Sequence, residues 1–162
     1  MIEWGENPVV KKGAVIGEDG FYWQRDKGGI QQTKPHKFDI VIGNEVHIGS
    51  DVTVNKGRWR DTVIGDGTKI DDHSHISHNV KIGKHCLISV GVILLGSCEI
   101  GDYSNIWSGA IIQQGVKVGK RCTVGAGTYL RHDIVDGSTV YGTGRNQELY
   151  TFGGELVDQM DV

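Results

Sequence analysis

From Ile64 onward every sixth residue is aliphatic: Ile64, Ile70, Ile76, Ile82, Ile88, Leu94, Ile100, Ile106, Ile112, Val118, Val124 and Leu130. Two residues before each stands a small or β-branched one, running Thr62, Thr68, Ser74, Val80, Cys86, Val92, Cys98, Ser104, Ala110, Val116, Cys122 and Thr128. Earlier hexads surface at Ile42, Ile48 and Val54, with a fragment at Val10 and Ile16. A short fixed period is the mark of a repeat architecture. Gly65, Gly83, Gly101 and Gly119 add a spacing of 18, so three hexads make one coil and one corner in three requires a residue without a Cβ. The pattern predicts an all-β solenoid of triangular cross-section, a parallel β-helix with short strands on three flat faces. Its coils stack ~4.8 Å apart, and about six of them give a prism on the order of 30 Å tall.

Two stretches break the period. The excursion at 18–39, with Phe21, Tyr22 and Trp23 together, is long for a loop without function and is expected to form a hairpin arm near a neighbouring subunit's cleft. A shorter bulge covers 55–63. One β-helix domain over 1–145 is expected, followed by a tail over 146–162 with no 3.6 period. Glycine is abundant, at 25 residues against 2 prolines, so it is used positionally and not as a sign of disorder. The formal charge of -3 gives no reason to expect nucleic acid or a membrane surface as partner. No apolar run is long enough to span a bilayer and no signal-peptide pattern follows Met1, so a cytoplasmic location is the expectation. Cys86, Cys98 and Cys122 all fall in the small inward column and are expected as reduced core fillers.

This repeat resembles that of the hexapeptide-repeat acyltransferases. Within them the resemblance is nearest to the UDP-3-O-acylglucosamine N-acyltransferases of lipid A synthesis, on the stretches "VIGEDGF" at 15–21, "VTVNKGRWRDTVIGDGTKID" at 52–71, "ISHNVKIG" at 76–83 and "GVILLGSCEIG" at 91–101. It spans roughly 9–145 and includes both interruptions. The resemblance, and not the spacing, implies a left-handed helix, a homotrimer with three clefts between prisms, and acyl transfer from a thioester.

Coil arithmetic puts His78 two residues past an inward position, hence at a corner and facing out. One coil on is Gly96, then Gln114 and His132, and one coil back across the bulge is Lys56. An imidazole can take the proton from an attacking amine or hydroxyl near neutral pH. A bare backbone N–H can hold the oxyanion. The resemblance carries the base role to His78 and the oxyanion role to Gly96, and puts Asp71 at the acidic position seven residues before the base; Asn79, beside the histidine, is a candidate to orient the ring and equally a favoured turn former. Lys56 is a candidate for a phosphate or carboxylate of the acceptor, and Phe21 and Gln114 for the acceptor's surroundings. Lys117, Arg121 and Arg131, with Lys120 and Arg145, make the C-terminal part locally basic, which suits coenzyme A phosphates or an acidic acyl carrier protein. Tyr129 and Gln113 are candidates to narrow an acyl groove.

The chain also departs from that family. Its usual second histidine falls where this chain has Gly115, and the N-terminal uridine-binding domain and the helical C-terminal extension have no counterpart. The closing "GAGTYLRHDIVDGSTVYG" at 125–142 resembles the last coil of acetyltransferases that act on surface-polysaccharide sugars. The expected reaction is therefore acyl transfer, from acetyl-CoA or an acyl carrier protein with no bound cofactor or metal, to the amino group of a sugar, nucleotide-linked in the leading reading. O-acetylation of a polysaccharide sugar is the alternative. A zinc carbonic anhydrase would use the five-residue spacing of His73 and His78, but positions 109, 111 and 114, where a third ligand would fall, are Gly, Ile and Gln. An ice-binding solenoid would need a flat threonine face that the outward positions do not supply.

Overall fold

The computed structural model describes residues 1–142 throughout and, of the remainder, only the backbone strands Glu148–Tyr150 and Leu156–Val157. Most of the 146–162 tail, and Arg145, lie outside the described residues. The fold is all-β: three flat sheets wound into a parallel solenoid of about six turns, as a left-handed β-helix of 18-residue coils would form.

The first sheet stacks Ile2–Trp4, Ile40–Ile42, Thr62–Ile64, Lys81–Ile82, Glu99–Ile100 and Lys117–Val118. The second runs from Val9–Val10 through His47–Ile48, Lys69–Ile70, Leu87–Ile88, Asn105–Ile106 and Thr123–Val124 to Thr139–Tyr141, where the two tail strands add antiparallel. The third stacks Val15–Glu18, Thr53–Asn55, His75–Ile76, Ile93–Leu94, Ile111–Ile112 and Tyr129–Leu130. Register is the predicted one, Ile76 pairing with Leu94 and Leu94 with Ile112, one coil per 18 residues.

All twelve residues of the six-step aliphatic column are buried, and so are all twelve of the small column. A fully buried aliphatic side chain contributes roughly 1.5–3 kcal/mol, and among the described residues the aliphatic column supplies 12 of the 27 buried hydrophobic residues of the core. The three cysteines are free thiols in it, and burial pushes the Cys98 thiol up to about 12. Corners are made by a left-handed residue in each hexad, with His73, Asn79, His85, Ser97, Tyr103 and Arg121 all at φ between 53° and 65° and Gly67, Gly91, Gly109, Gly115 and Gly127 between the same turns. His73 is thus a turn former, and Gly115 sits where the turn itself favours glycine, at φ 77°.

The excursion is a hairpin of Trp23–Arg25 and Gln31–Thr33, as expected. Its base turns back onto its own prism: His36 is buried and the Phe38 N–H donates to the Gly57 carbonyl.

Candidate functional site

Between the third and first sheets runs one ridge of corner residues, Lys56, His78, Gly96, Gln114 and His132, each two past a paired inward residue. Backbone bonds tie it coil to coil: the Ser97 N–H donates to the His78 carbonyl at 2.9 Å and the Gly115 N–H to the Gly96 carbonyl at 3.0 Å. His78 and Gly96 are therefore brought together as the spacing requires. The corner is not empty, however. A Cβ on Gly96 would run into the imidazole of His78, so the ring itself occupies the space that glycine leaves. Among the described residues the Gly96 N–H donates to nothing, and it remains an uncommitted donor beside the ring.

Asn79 fixes that ring. It is 1 % exposed, sits at φ 61°, and its Oδ1 accepts the backbone N–H of Arg58 at 2.6 Å and of Trp59 at 3.0 Å. Two backbone donors on one oxygen settle which end of the amide is which. The Nδ2 end accordingly donates to His78 Nδ1 at 3.0 Å and to Ser97 Oγ at 3.1 Å. A neutral His78 held this way carries its proton on Nε2. Arg60 locks the same corner from the bulge, donating through Nε to the Asn79 carbonyl, through one terminal nitrogen to Glu99 and through the other to the Ser97 carbonyl.

Over this corner lies a cluster that the periodic reading missed. The ring of His36 is 5.4 Å from that of His78, and Trp59 meets His78 edge-on at 5.7 Å. The Arg58 guanidinium is sandwiched, 3.0 Å over the Tyr22 ring and 3.9 Å over that of Trp59. Burial, then His36 and Arg58, hold the His78 imidazole below the usual histidine range, so neutrality is its favoured state. His36 is also held low by burial, against the pull of Asp19 in the other direction. On the outward column of the third sheet, His75 accepts or donates at Nδ1 with Thr53 Oγ1 at 2.6 Å, and burial lowers its protonation as well.

Other expected site residues lie elsewhere or are already occupied. Asp71 is not gathered with His78 within one chain: it lines a groove on the second sheet with His47, Lys69, Leu87 and Trp107, because one hexad carries the chain round to the next corner. Lys56 is on the right ridge, but its ammonium is paired with Asp19 at 2.9 Å. Phe21 is 91 % exposed and neighbours Trp23, away from the imidazole within this chain. Gln114 is exposed on the ridge, two coils above His78. Lys117 is on the first sheet, Arg131 at the corner before it and Arg121 at the corner after it, so the three border one face without converging. The Arg121 guanidinium lies over Tyr103 at 5.4 Å. The Tyr129 hydroxyl donates to Gln113 at 3.2 Å. Among the described residues, no group of three potential metal ligands gathers. Among them, too, no helix is long and apolar enough to cross a membrane.

The family described as bacterial transferase hexapeptide (six repeats) matches residues 61–96 and 97–132, the coils that carry His78 and Gly96. Residues 61–132 are thus similar to transferase hexapeptide repeats. The chain is 46% identical over 99 residues to a probable UDP-3-O-acylglucosamine N-acyltransferase 2, mitochondrial, of Arabidopsis thaliana, a match covering 61% of the chain and 33% of the relative. It is 43% identical, again over 99 residues, to the UDP-3-O-acylglucosamine N-acyltransferase of Methylorubrum extorquens, covering 61% and 28%. The chain thus spans about a third of the length of the curated relatives it matches. Among solved structures, the UDP-N-acetylglucosamine acyltransferase of Francisella novicida superposes with a TM-score of 0.70 at 25% identity, over 95% of this chain and 56% of that one.

Proposed function

We propose that the chain is an acyltransferase that moves an acyl group from a thioester, acyl carrier protein or acetyl-CoA, to the amino group of a UDP-linked glucosamine-type sugar. The observation that carries this reading is the seating of the His78 imidazole on Gly96, a neutral ring and a free backbone N–H at one outward corner. The relatives named for acylation of UDP-linked amino sugars support the substrate class, since their similarity covers these coils.

In this mechanism the amine attacks the thioester carbonyl and the Gly96 N–H stabilises the oxyanion that forms, an interaction typically worth about 3–4 kcal/mol of barrier. The tetrahedral intermediate then expels the thiolate, which leaves with a proton, and the amide forms. His78 takes the proton that the amine gives up. Acceptance at Nε2 uses the tautomer with its proton on Nδ1, whereas Asn79 favours the other, so the ring must give up the Asn79 bond and exchange tautomer before it accepts the proton. No covalent acyl-enzyme enters. Rate is gained by holding both substrates together. The reading includes a homotrimer. The groove on the second sheet, with Leu87 43 % and Trp107 42 % exposed and Asp71 beside them, offers apolar surface for a neighbouring copy to cover, which would bring Asp71 of one prism towards the cleft of the next.

The test is incubation with acetyl-CoA and acyl carrier protein thioesters against a panel of free and UDP-linked amino sugars and hydroxyl acceptors, read by product mass. Amide product that is lost in His78→Ala by about 10²-fold or more is the expected result. No turnover with any thioester, or full activity in His78→Ala, overturns the reading. Sedimentation equilibrium tests the trimer separately.

A further inference from the structure

We propose that His36 is a positioning residue of the acyl-transfer corner, acting through His78: packed on it from the base of the excursion, it keeps that imidazole on Gly96 and closed to water. This rests on the reading above only where activity is measured.

The first observation is a polar group without a use. His36 is 4 % exposed, yet neither Nδ1 nor Nε2 has a hydrogen-bond partner among the described residues. Buried polar atoms are ordinarily paired, and an aliphatic side chain would fill this space without leaving two nitrogens bare. The second is place. The His36 ring lies 5.4 Å from that of His78 at a 45° tilt, and its seat is shaped by Gly20, where a Cβ would come within 3.2 Å of Nε2. The third is charge. Facing His36 are Asp19, Lys56 and Arg58, and facing His78 are His36, Arg58 and His75, with Asn79 on its Nδ1 and Trp59 at its edge. Two imidazoles this close cannot both be protonated readily. Removing His36 would admit water to one side of the His78 ring and remove one of its cationic neighbours. Both changes favour protonated His78.

The test titrates His78 by NMR of its ring protons in the intact chain, in wild type, His36→Ala and His36→Phe, with His36→Gln as a milder variant. The expected order of His78 midpoints is wild type lowest and His36→Ala highest. His36→Phe falls between, since it retains ring bulk and cannot carry charge. In turnover, the ratio of kcat/KM at pH 6 to that at pH 8 falls about threefold in His36→Ala, because less of the neutral base survives at the lower pH. An unchanged His78 midpoint in folded His36→Ala and His36→Gln overturns the proposal, as does a loss of kcat that is uniform across pH. If no acyl donor is turned over, the titration still decides the role of His36, and the two readings fail separately.

Discussion

Two ridges of this prism use glycine for opposite reasons. Between the first and second sheets, Gly65, Gly83, Gly101 and Gly119 recur on every coil, and a Cβ there would strike backbone: on Gly101 it would lie 2.5 Å from the Gly119 carbonyl carbon, and on Gly83 2.7 Å from the Asp102 nitrogen. Between the third and first sheets, Gly96 is alone among Lys56, His78, Gln114 and His132, and what a Cβ there would strike is an imidazole ring. The recurring glycine lets coils stack. The solitary one gives the proposed base, His78, somewhere to sit. A solenoid thus separates its two demands by ridge, and a glycine that appears once where its neighbours carry side chains points to the site.

Substitution by alanine on each ridge should break the parallel. Gly96→Ala displaces a ring that can swing away, so the fold survives while kcat/KM falls about 10²–10³-fold, the loss expected when an oxyanion donor and its partner are forced apart. Turnover and Tm measured together check it, and unaltered turnover would remove Gly96 from the site. Gly101→Ala meets backbone that cannot swing away. Overpacking of that kind costs about 1–3 kcal/mol, with kcat unchanged below the melting temperature. Denaturant unfolding should show it as a lower midpoint.

The stacking ridge and half of the site were legible in the sequence, and the reason is geometric. Any pair of residues 18 apart lies one coil apart, so His78 on Gly96 follows from counting, as does the burial of Ile76 and Leu94. What counting could not reach came from the two aperiodic stretches. His36 is 42 residues before His78 and sits in the excursion, where no hexad fixes its place, and Arg58, Trp59 and Arg60 lie inside the bulge, their positions set by hydrogen bonds to Asn79 and Ser97. Asn79 itself carried a faint signal: a left-handed corner favours asparagine, and an amide there has atoms to spare for a neighbouring loop. Asp71 shows the limit of reading a family position by offset alone, because seven residues along this chain is another corner and only a neighbouring prism would return it to the site.

Asn79→Asp sharpens the contrast between a corner that is only a turn and one that tunes a base. Aspartate keeps the left-handed conformation and can still accept from Arg58 and Trp59, while its second oxygen accepts from Nδ1–H of His78 and leaves Nε2 bare. The carboxylate also favours the protonated ring, so the acidic limb of kcat/KM moves to higher pH and activity at pH 6 falls about tenfold. At pH 8 activity is retained or raised. A loss at pH 8 as deep as in His78→Ala would mean that the Nε2–H form, a donor, is the working one.

The two ridges should also answer acid in different windows. His36, His75 and His78 are held below 6.5 in the fold, chiefly by burial, so the unfolded chain binds more protons there. Their contribution is fully present above the unfolded value and is lost as pH falls below about 6.5 towards their folded values. Along the glycine ridge the titrating groups are Asp66, held low by its bond to Lys84 at 2.8 Å, and Asp102, held low by the Lys84 backbone N–H at 2.9 Å. Both carboxylates are close to the surface, so their effect is small, and it appears only as pH falls below 3.8. Tm against pH should therefore show a first decline beginning near pH 6.5 and a weaker one below pH 4. His78→Gln removes one of the three groups behind the first step and should flatten it by a few degrees at pH 5 while leaving the second untouched. A first decline of unchanged size in that variant would mean that His78 does not titrate with folding, and that its corner is more open to water than its geometry says.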